Sequence, residues 1–416
     1  MNMIRVAMVF NIVPEYPAGK LDIQPSPMGG WLMSMVKKLN EFQEIEIDII
    51  SPTNVDSLIE FKDDGITYYL IPENRNGNHW REYLSKRRPN IIHINGTENN
   101  HTEQLLELNH SAKIIVSIQG IVTEISKYVY GGIDSKIILQ NLTLKDLVRK
   151  STLFHQKKIF QRKSKYEIKL LNYADIIIGR TEWDKGFVNS LELSNKYRKC
   201  NENLRDVFYT SKKWSIEKCV PYTIFCSQGA VAYKGLHKLF EALSIVKKYY
   251  PYVLIKIAGY DPTQNKVISD KIKRSGYGKI LIELIKNKGL QNNVEFLGIL
   301  NENEILREYL SSHLFVQSSL VENSPNSLGE ALLLGIPSIA SDVGGTKDFV
   351  MHNTNGILYD SNDSMILASN IIELFKNNDR AINFNKSGLK RTEKIYDRND
   401  NTATLLNIYK DILSDK

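Results

Sequence analysis

A chain of 416 residues is too long for one ordinary hydrophobic core, so two domains are expected. Its composition, 42% hydrophobic and 24% charged, is that of a soluble globular protein rather than a disordered or membrane-embedded one. The net charge of +7 suits an anionic small molecule or an acidic membrane face. No aromatic and arginine pattern of a nucleic-acid module accompanies it, so nucleic acid is not expected as a partner.

The chain opens "MNMIRVAMVFNIVPEYP", an apolar run ended by Pro14. At roughly ten residues the run is too short to span a membrane, and it lacks a small-residue cleavage site. It predicts a buried first strand, and a protein working in the cytosol. Cys200, Cys219 and Cys226 form neither paired spacings nor a C-x-x-C, which fits reduced thiols in that compartment.

Beyond the first run, short β-branched stretches alternate with longer amphipathic ones, the pattern of a parallel α/β fold. One series of strands is predicted over 4–10, 45–50, 91–95, 113–118 and 175–179. A second is predicted over 222–227, 253–258, 294–297, 313–317 and 337–341. Residues 200–220 are polar and aromatic without a period and read as a linker, giving domains 1–218 and 219–396. Between the two series lies a long helix-compatible stretch, 139–171, rich in lysine and arginine. It reads as a solvated helix face or as a contact with an anionic membrane surface.

In doubly wound sheets, ligands bind beyond the carboxyl ends of the strands. Polar residues just after strand runs are therefore the candidates. In chain order they begin with Gly29-Gly30, where the missing side chains let a backbone approach a ligand closely. Then come His93, Asn95, Thr97 and Glu98 in "IIHINGTE", Gln119 in "VSIQG", and Arg180 and Glu182 in "GRTEWD". In the second series, "CSQGAVAYKGLHKLFEAL" places Lys234 on a glycine-bearing loop that opens a helix. Its spacing does not match a Walker A loop.

The densest signal is "SLVENSPNSLGEALLLGIPSIAS", residues 319–341. A helix over 325–334 is predicted, with Ser324 as N-cap, Pro325 at the first position, and Gly335 and Pro337 ending it. Such an entrance offers free amides to an anion. Glu330 also fits a capping box, Ser327-x-x-Glu330. Glu322 has no such structural role, because it precedes the helix. The two carboxylates are spaced to meet one extended ligand at two points, Glu330 lying about 7–8 Å into the helix. The eight histidines form no H-E-x-x-H, no D-x-D ends a strand, and neither G-x-G-x-x-G nor G-x-S-x-G is present. No metal is expected.

Glu322-x7-Glu330 followed by "ALLLGIPSIASDVGGTKDFV" closely resembles the donor-binding segment of the family 4 retaining glycosyltransferases. "PNIIHINGTE", "YKGLHKLFEAL", "IAGY" and "VEFLGIL" fall in that family's order. The resemblance implies a GT-B architecture, two Rossmann-like α/β domains facing across a cleft, with the C-terminal helix of about 397–416 packing back on the first. It implies no cofactor beyond a nucleotide-diphosphate sugar as co-substrate, and a saccharide or lipid-linked acceptor in cell-surface polysaccharide assembly. By position, Glu330 would hold the ribose, Glu322 the transferred sugar, and Lys234 the diphosphate. Gly30 and the backbone of Asn323, Ser324, Asn326, Ser327 and Leu328 would add donors to phosphate and sugar, and Gly298 would contact the base.

The chain departs from the family pattern at two positions. An arginine is common five residues before the lysine, where this chain has Gly229 beside Gln228. A histidine is common where it has Gln119, a side chain that accepts a hydrogen bond but is no base at neutral pH. Arg180 is the candidate to supply the missing charge. These departures leave two alternatives of the same fold open: a non-catalytic partner of a true transferase, and a non-hydrolysing sugar-nucleotide epimerase.

Overall fold

The computed structural model describes residues 3–23, 29–73, 78–227, 229–263 and 274–414. Its contacts divide the chain into two compact units. The first comprises residues 1–123, 162–206 and 396–416, and the second comprises 124–161 and 207–395. The second unit therefore takes in much of the basic stretch, and it begins about a dozen residues earlier than the expected 219. Trp214 shows why. Its backbone amide donates to Leu334 O at 2.8 Å and its indole N–H to Ser312 O at 2.8 Å, so the supposed linker is sewn into the second core.

The first unit is built on an eight-stranded sheet. Its strands are β1 (Ile4–Val9), β2 (Ile45–Thr53), β3 (Ile59–Asp63), β4 (Ile66–Pro72), β5 (Ile91–Asn95), β6 (Lys113–Ser117), β7 (Ile176–Gly179) and β8 (Tyr197–Lys199). They lie in the order β3-β4-β2-β1-β5-β6-β7-β8, parallel throughout except for the β3–β4 pair. Central strands such as β5 are buried along their whole length, as helices on both faces require. The C-terminal helix Arg398–Ser414 belongs to this unit. Leu405, Leu406, Tyr409 and Ile412 join its core beside Leu32, Met35 and Ile47.

The second unit holds β9 (Val220–Cys226), β10 (Leu254–Ala258), β11 (Val294–Gly298), β12 (Ser312–Gln317), β13 (Ser338–Ser341) and β14 (Ile357–Tyr359). All pairs are parallel, in the order β11-β10-β9-β12-β13-β14. Numbered within the unit this is 3-2-1-4-5-6, the dinucleotide-fold order, in which the strand order reverses between the first and fourth strands. The crevice that binds ligands in such sheets opens at that reversal, here between β9 and β12. Among the described residues no helix is long and apolar enough to cross a membrane.

Candidate donor site at the second switch point

β9 and β12 are adjacent, and the loops that leave their carboxyl ends meet. Gly235 makes the meeting possible. Its φ of 72° is left-handed, and any Cβ there would collide with Ser318 O on the opposite loop. The backbones are stitched by Leu320 N–H donating to Tyr233 O at 2.8 Å and by Ser318 Oγ donating to Lys234 O at 3.1 Å. Lys234 and Glu322 are held together as a result, with Nζ and Oε1 at 2.6 Å.

Their side chains are 18% and 12% exposed, so the pair is shielded but reachable. Burial alone would pull the Lys234 ammonium down; the Glu322 carboxylate outweighs it and leaves the pKa above the ordinary lysine value. Lys234 thus stays a cation across the working range. Glu322 is fixed in turn by Ser319 Oγ, which donates to the same Oε1 at 2.6 Å. Its backbone carbonyl accepts from Gly345 N–H at 3.1 Å, in the polar loop after β13.

The helix that follows runs Asn326–Leu334, with Pro325 as N-cap and no side-chain cap hydrogen bond. It therefore starts one residue later than expected, and Ser324 does not cap it. Ser324 Oγ is instead buried without a hydrogen-bond partner. An unsatisfied buried hydroxyl is costly, and one beside the amides of a helix start suits a polar ligand that completes both. The capping box also fails to form. Ser327 lies inside the helix, and its carbonyl accepts from the Tyr309 hydroxyl at 2.8 Å. That hydroxyl also lies 3.4 Å from Glu330 Oε2, and Glu330 is buried. The helix closes at Gly335, as its sequence predicts.

Gly298 ends β11, three strands from β12 and so roughly 14 Å along the row of carboxyl ends. Its φ of 80° is left-handed, and a Cβ built there would meet nothing within 4 Å. An extended ligand has open backbone there. Gly229 explains one departure from the family pattern. A Cβ at that position would point at Leu236 Cδ2, 2.5 Å away, and Ile257 Cγ2, 3.2 Å away. An arginine there would have to pass through the core. Gln228 lies outside the described residues.

In the first unit the expected residues divide into two groups. His93 is 2% exposed, its Nδ1 2.6 Å from the Tyr409 hydroxyl and its Nε2 2.7 Å from Ser117 Oγ. Burial holds its pKa down to about 3. It ties the C-terminal helix to the sheet. Asn95 donates to Val9 O, and Thr97 donates to the buried Glu167, which also caps the helix Val122–Tyr128 through the Val122 and Thr123 amides. Glu182 is an exposed first-turn residue paired with Lys185. Gly29 and Gly30 start the helix Gly30–Leu39, and a Cβ on Gly30 would lie 3.1 Å from the Arg205 side chain.

The other group forms a polar cluster. Gln119 Nε2 donates to Glu202 Oε1 at 2.6 Å, and Arg180 pairs with Glu202 and lies 3.4 Å from Gln119 Oε1. Arg180 therefore neutralises Glu202. Glu98 is close by, since a Cβ on Gly96 would run into Glu98 Oε2 and would sit 3.4 Å from Gln119 Cγ. Burial pushes the Glu98 carboxyl up to about 7, and its Oε2 is buried without a partner. Ser319, Tyr309 and Glu202 were missed from sequence. Ser319 stood inside the quoted motif, whereas Glu202 sat in the stretch read as linker.

Residues 210–391 match the family model described as "Glycosyl transferases group 1". The chain is 30% identical over 186 residues to the uncharacterized glycosyltransferase MJ1059 of Methanocaldococcus jannaschii, an alignment covering 41% of this chain and 40% of that protein. The chain spans less than half the length of the curated relatives it matches. In fold it is similar to sucrose-phosphate synthase of Thermosynechococcus elongatus, with a TM-score of 0.72 at 16% identity over 99% of this chain and 100% of that one. It is also similar to Anabaena Alr3699/HepE solved with UDP-glucose, with a TM-score of 0.67 at 15% identity over 97% and 99%. The family-model match is confined to residues 210–391, and the two α/β units have the GT-B fold of these solved structures.

Proposed function

We propose that the protein is a retaining glycosyltransferase of the family 4 type, moving a hexose from a nucleotide-diphosphate sugar to a saccharide or lipid-linked saccharide. The observation that carries this reading is the Lys234–Glu322 pair at the β9/β12 switch point. A nucleotide-sugar donor is supported by the UDP-glucose named for the Anabaena neighbour. In this reading the donor diphosphate sits against Lys234 and the amides at the start of Asn326–Leu334, with Glu330 on the ribose and Gly298 towards the base.

Chemistry follows from fixed charge. As the bond from the anomeric carbon to the phosphate oxygen breaks, positive charge grows on the sugar and negative charge on the leaving diphosphate. Glu322 stabilises the first and Lys234 the second, so transfer needs no metal. The acceptor oxygen bonds to the anomeric carbon on the face the phosphate leaves, and its proton passes to a phosphate oxygen. Gln119 cannot take that proton; we assign it to orienting the acceptor. The surface-polysaccharide role and the cytoplasmic setting at the membrane face belong to the same proposal. Turnover of common nucleotide sugars tests it: Lys234→Ala and Glu322→Ala should each cut transfer by about 100-fold or more with the fold intact. Unchanged rates would remove both residues from the mechanism. Nucleotide binding without transfer by the wild type would favour the non-catalytic partner, and an isomerised donor the epimerase.

A further inference from the structure

The short helix Leu144–Val148 is built inside out. Thr143 caps it by accepting from Asp146 N–H at 3.2 Å, and Asp146 is the residue that turns inward. Its carboxylate is buried, accepting from Ser151 Oγ at 2.9 Å and from Gly276 N–H at 2.5 Å. A polar residue on the inner face leaves the apolar ones outside. Leu144, Leu147 and Val148, at the i, i+3, i+4 spacing of one helical face, are 82%, 50% and 81% exposed. The preceding helix, Ser135–Gln140, adds Ile137 at 44% and Leu139 at 56%.

Single exposed hydrophobics need no explanation, but a contiguous group marks an interaction surface. Five of the 20 exposed large hydrophobics among the described residues fall within the 12 residues 137–148. The charges around them decide the partner. Lys136, Arg149 and Lys150 are exposed, whereas Asp146 is turned inward and the Asp134 side chain is occupied at its own helix start, accepting from Lys136 N–H at 2.7 Å. An exposed apolar lip flanked in the chain by exposed cations matches the interface of an anionic bilayer, where apolar side chains enter the acyl boundary and cations stay with the headgroups.

We propose that residues 135–150 of the second unit dock the protein on an anionic lipid surface, with Leu144, Leu147 and Val148 inserted and Lys136, Arg149 and Lys150 against the headgroup phosphates. This refines the broader basic stretch 139–171: the lip, more than the long helix Leu153–Tyr173, is the membrane-binding element. The docking is independent of the transfer chemistry, because vesicle binding reads it whether or not the protein moves a sugar.

The test is co-sedimentation of the full chain with vesicles of phosphatidylcholine alone or mixed equally with phosphatidylglycerol. Wild type should bind the mixed vesicles and leave the neutral ones. Leu144→Asp with Val148→Asp should weaken binding at least tenfold, and Arg149→Glu with Lys150→Glu should weaken it and reduce its salt dependence. These side chains are on the surface, and a thermal melt of each variant checks that the fold survives. Equal binding by wild type and the aspartate variant would overturn the proposal. So would a concentration-dependent wild-type dimer that the aspartate variant breaks, since the lip would then be covered by a second copy.

Discussion

The carboxyl ends of β5 and β12 are both followed by polar loops, and the two loops use their polar residues differently. At the end of β5 and just after it, most of the side chains find partners inside the protein, Glu98 Oε2 excepted. His93 spans Ser117 and Tyr409, Thr97 reaches Glu167, and Asn95 reaches Val9. After β12, the residues are held but left incomplete. Glu322 is fixed by Ser319 and Lys234, while Ser324 Oγ is buried with no partner. Polar residues at a strand end are thus weak guides by themselves. An unfinished hydrogen-bonding arrangement at a switch point is a stronger one, because a buried polar group without a partner has a cost that a ligand removes.

The sharpest break in this comparison is Glu322→Gln. It keeps the shape and the Ser319 contact but removes the charge. We expect transfer to fall by about 100- to 1,000-fold at saturating donor, read as kcat. His93 should behave in the opposite way, mattering for stability alone. Its folded pKa of about 3 lies below the ordinary 6.5, so the unfolded chain binds the proton first as pH falls. The stabilisation is fully present above about pH 6.5 and is lost towards pH 3. At pH 5 the loss is about 2 kcal/mol. In denaturant melts at pH 7 and 5, His93→Gln should flatten this dependence, while kcat/KM per folded molecule stays near wild type.

Smaller effects are expected at the remaining candidate site residues. Glu330→Gln should raise the donor KM about tenfold with little change in kcat, as expected when a binding contact is lost equally from ground and transition states. Gln119→Ala should lower kcat/KM for the acceptor a few-fold, roughly 1 kcal/mol, and leave donor binding unchanged. An equal loss in donor binding would move Gln119 out of its assigned role.

Much of this was legible in the chain. The ten predicted strand runs all appear, because parallel strands buried on both faces need continuous apolar stretches. The strands missed were β3, β4, β8 and β14, three of them at sheet edges. β3 and β4 form a hairpin whose Asp64-Gly65 turn has φ of 46° and 76°, and Asp-Gly between β-branched runs is a hairpin signal that the α/β pattern obscured. Glu322 and Lys234 stood out because each lies in a loop between a strand end and a helix, and Glu330 through its spacing from Glu322. The contact between Lys234 and Glu322, 88 positions apart, depends on β9 and β12 being neighbours, which no local spacing reveals. The role of His93 was hidden for the same reason, since its partner Tyr409 lies 316 residues away.

The central claim is that the β9/β12 switch point grips the diphosphate of a nucleotide sugar through Lys234. Calorimetric titration of wild type and Lys234→Ala with a panel of uridine, guanosine and adenosine diphosphate hexoses tests it most directly. At least one hexose donor should bind the wild type and bind the variant 100-fold or more weakly, with both proteins melting as folded chains. Equal affinity for wild type and variant, or no binding of any nucleotide sugar by the wild type, would contradict the account.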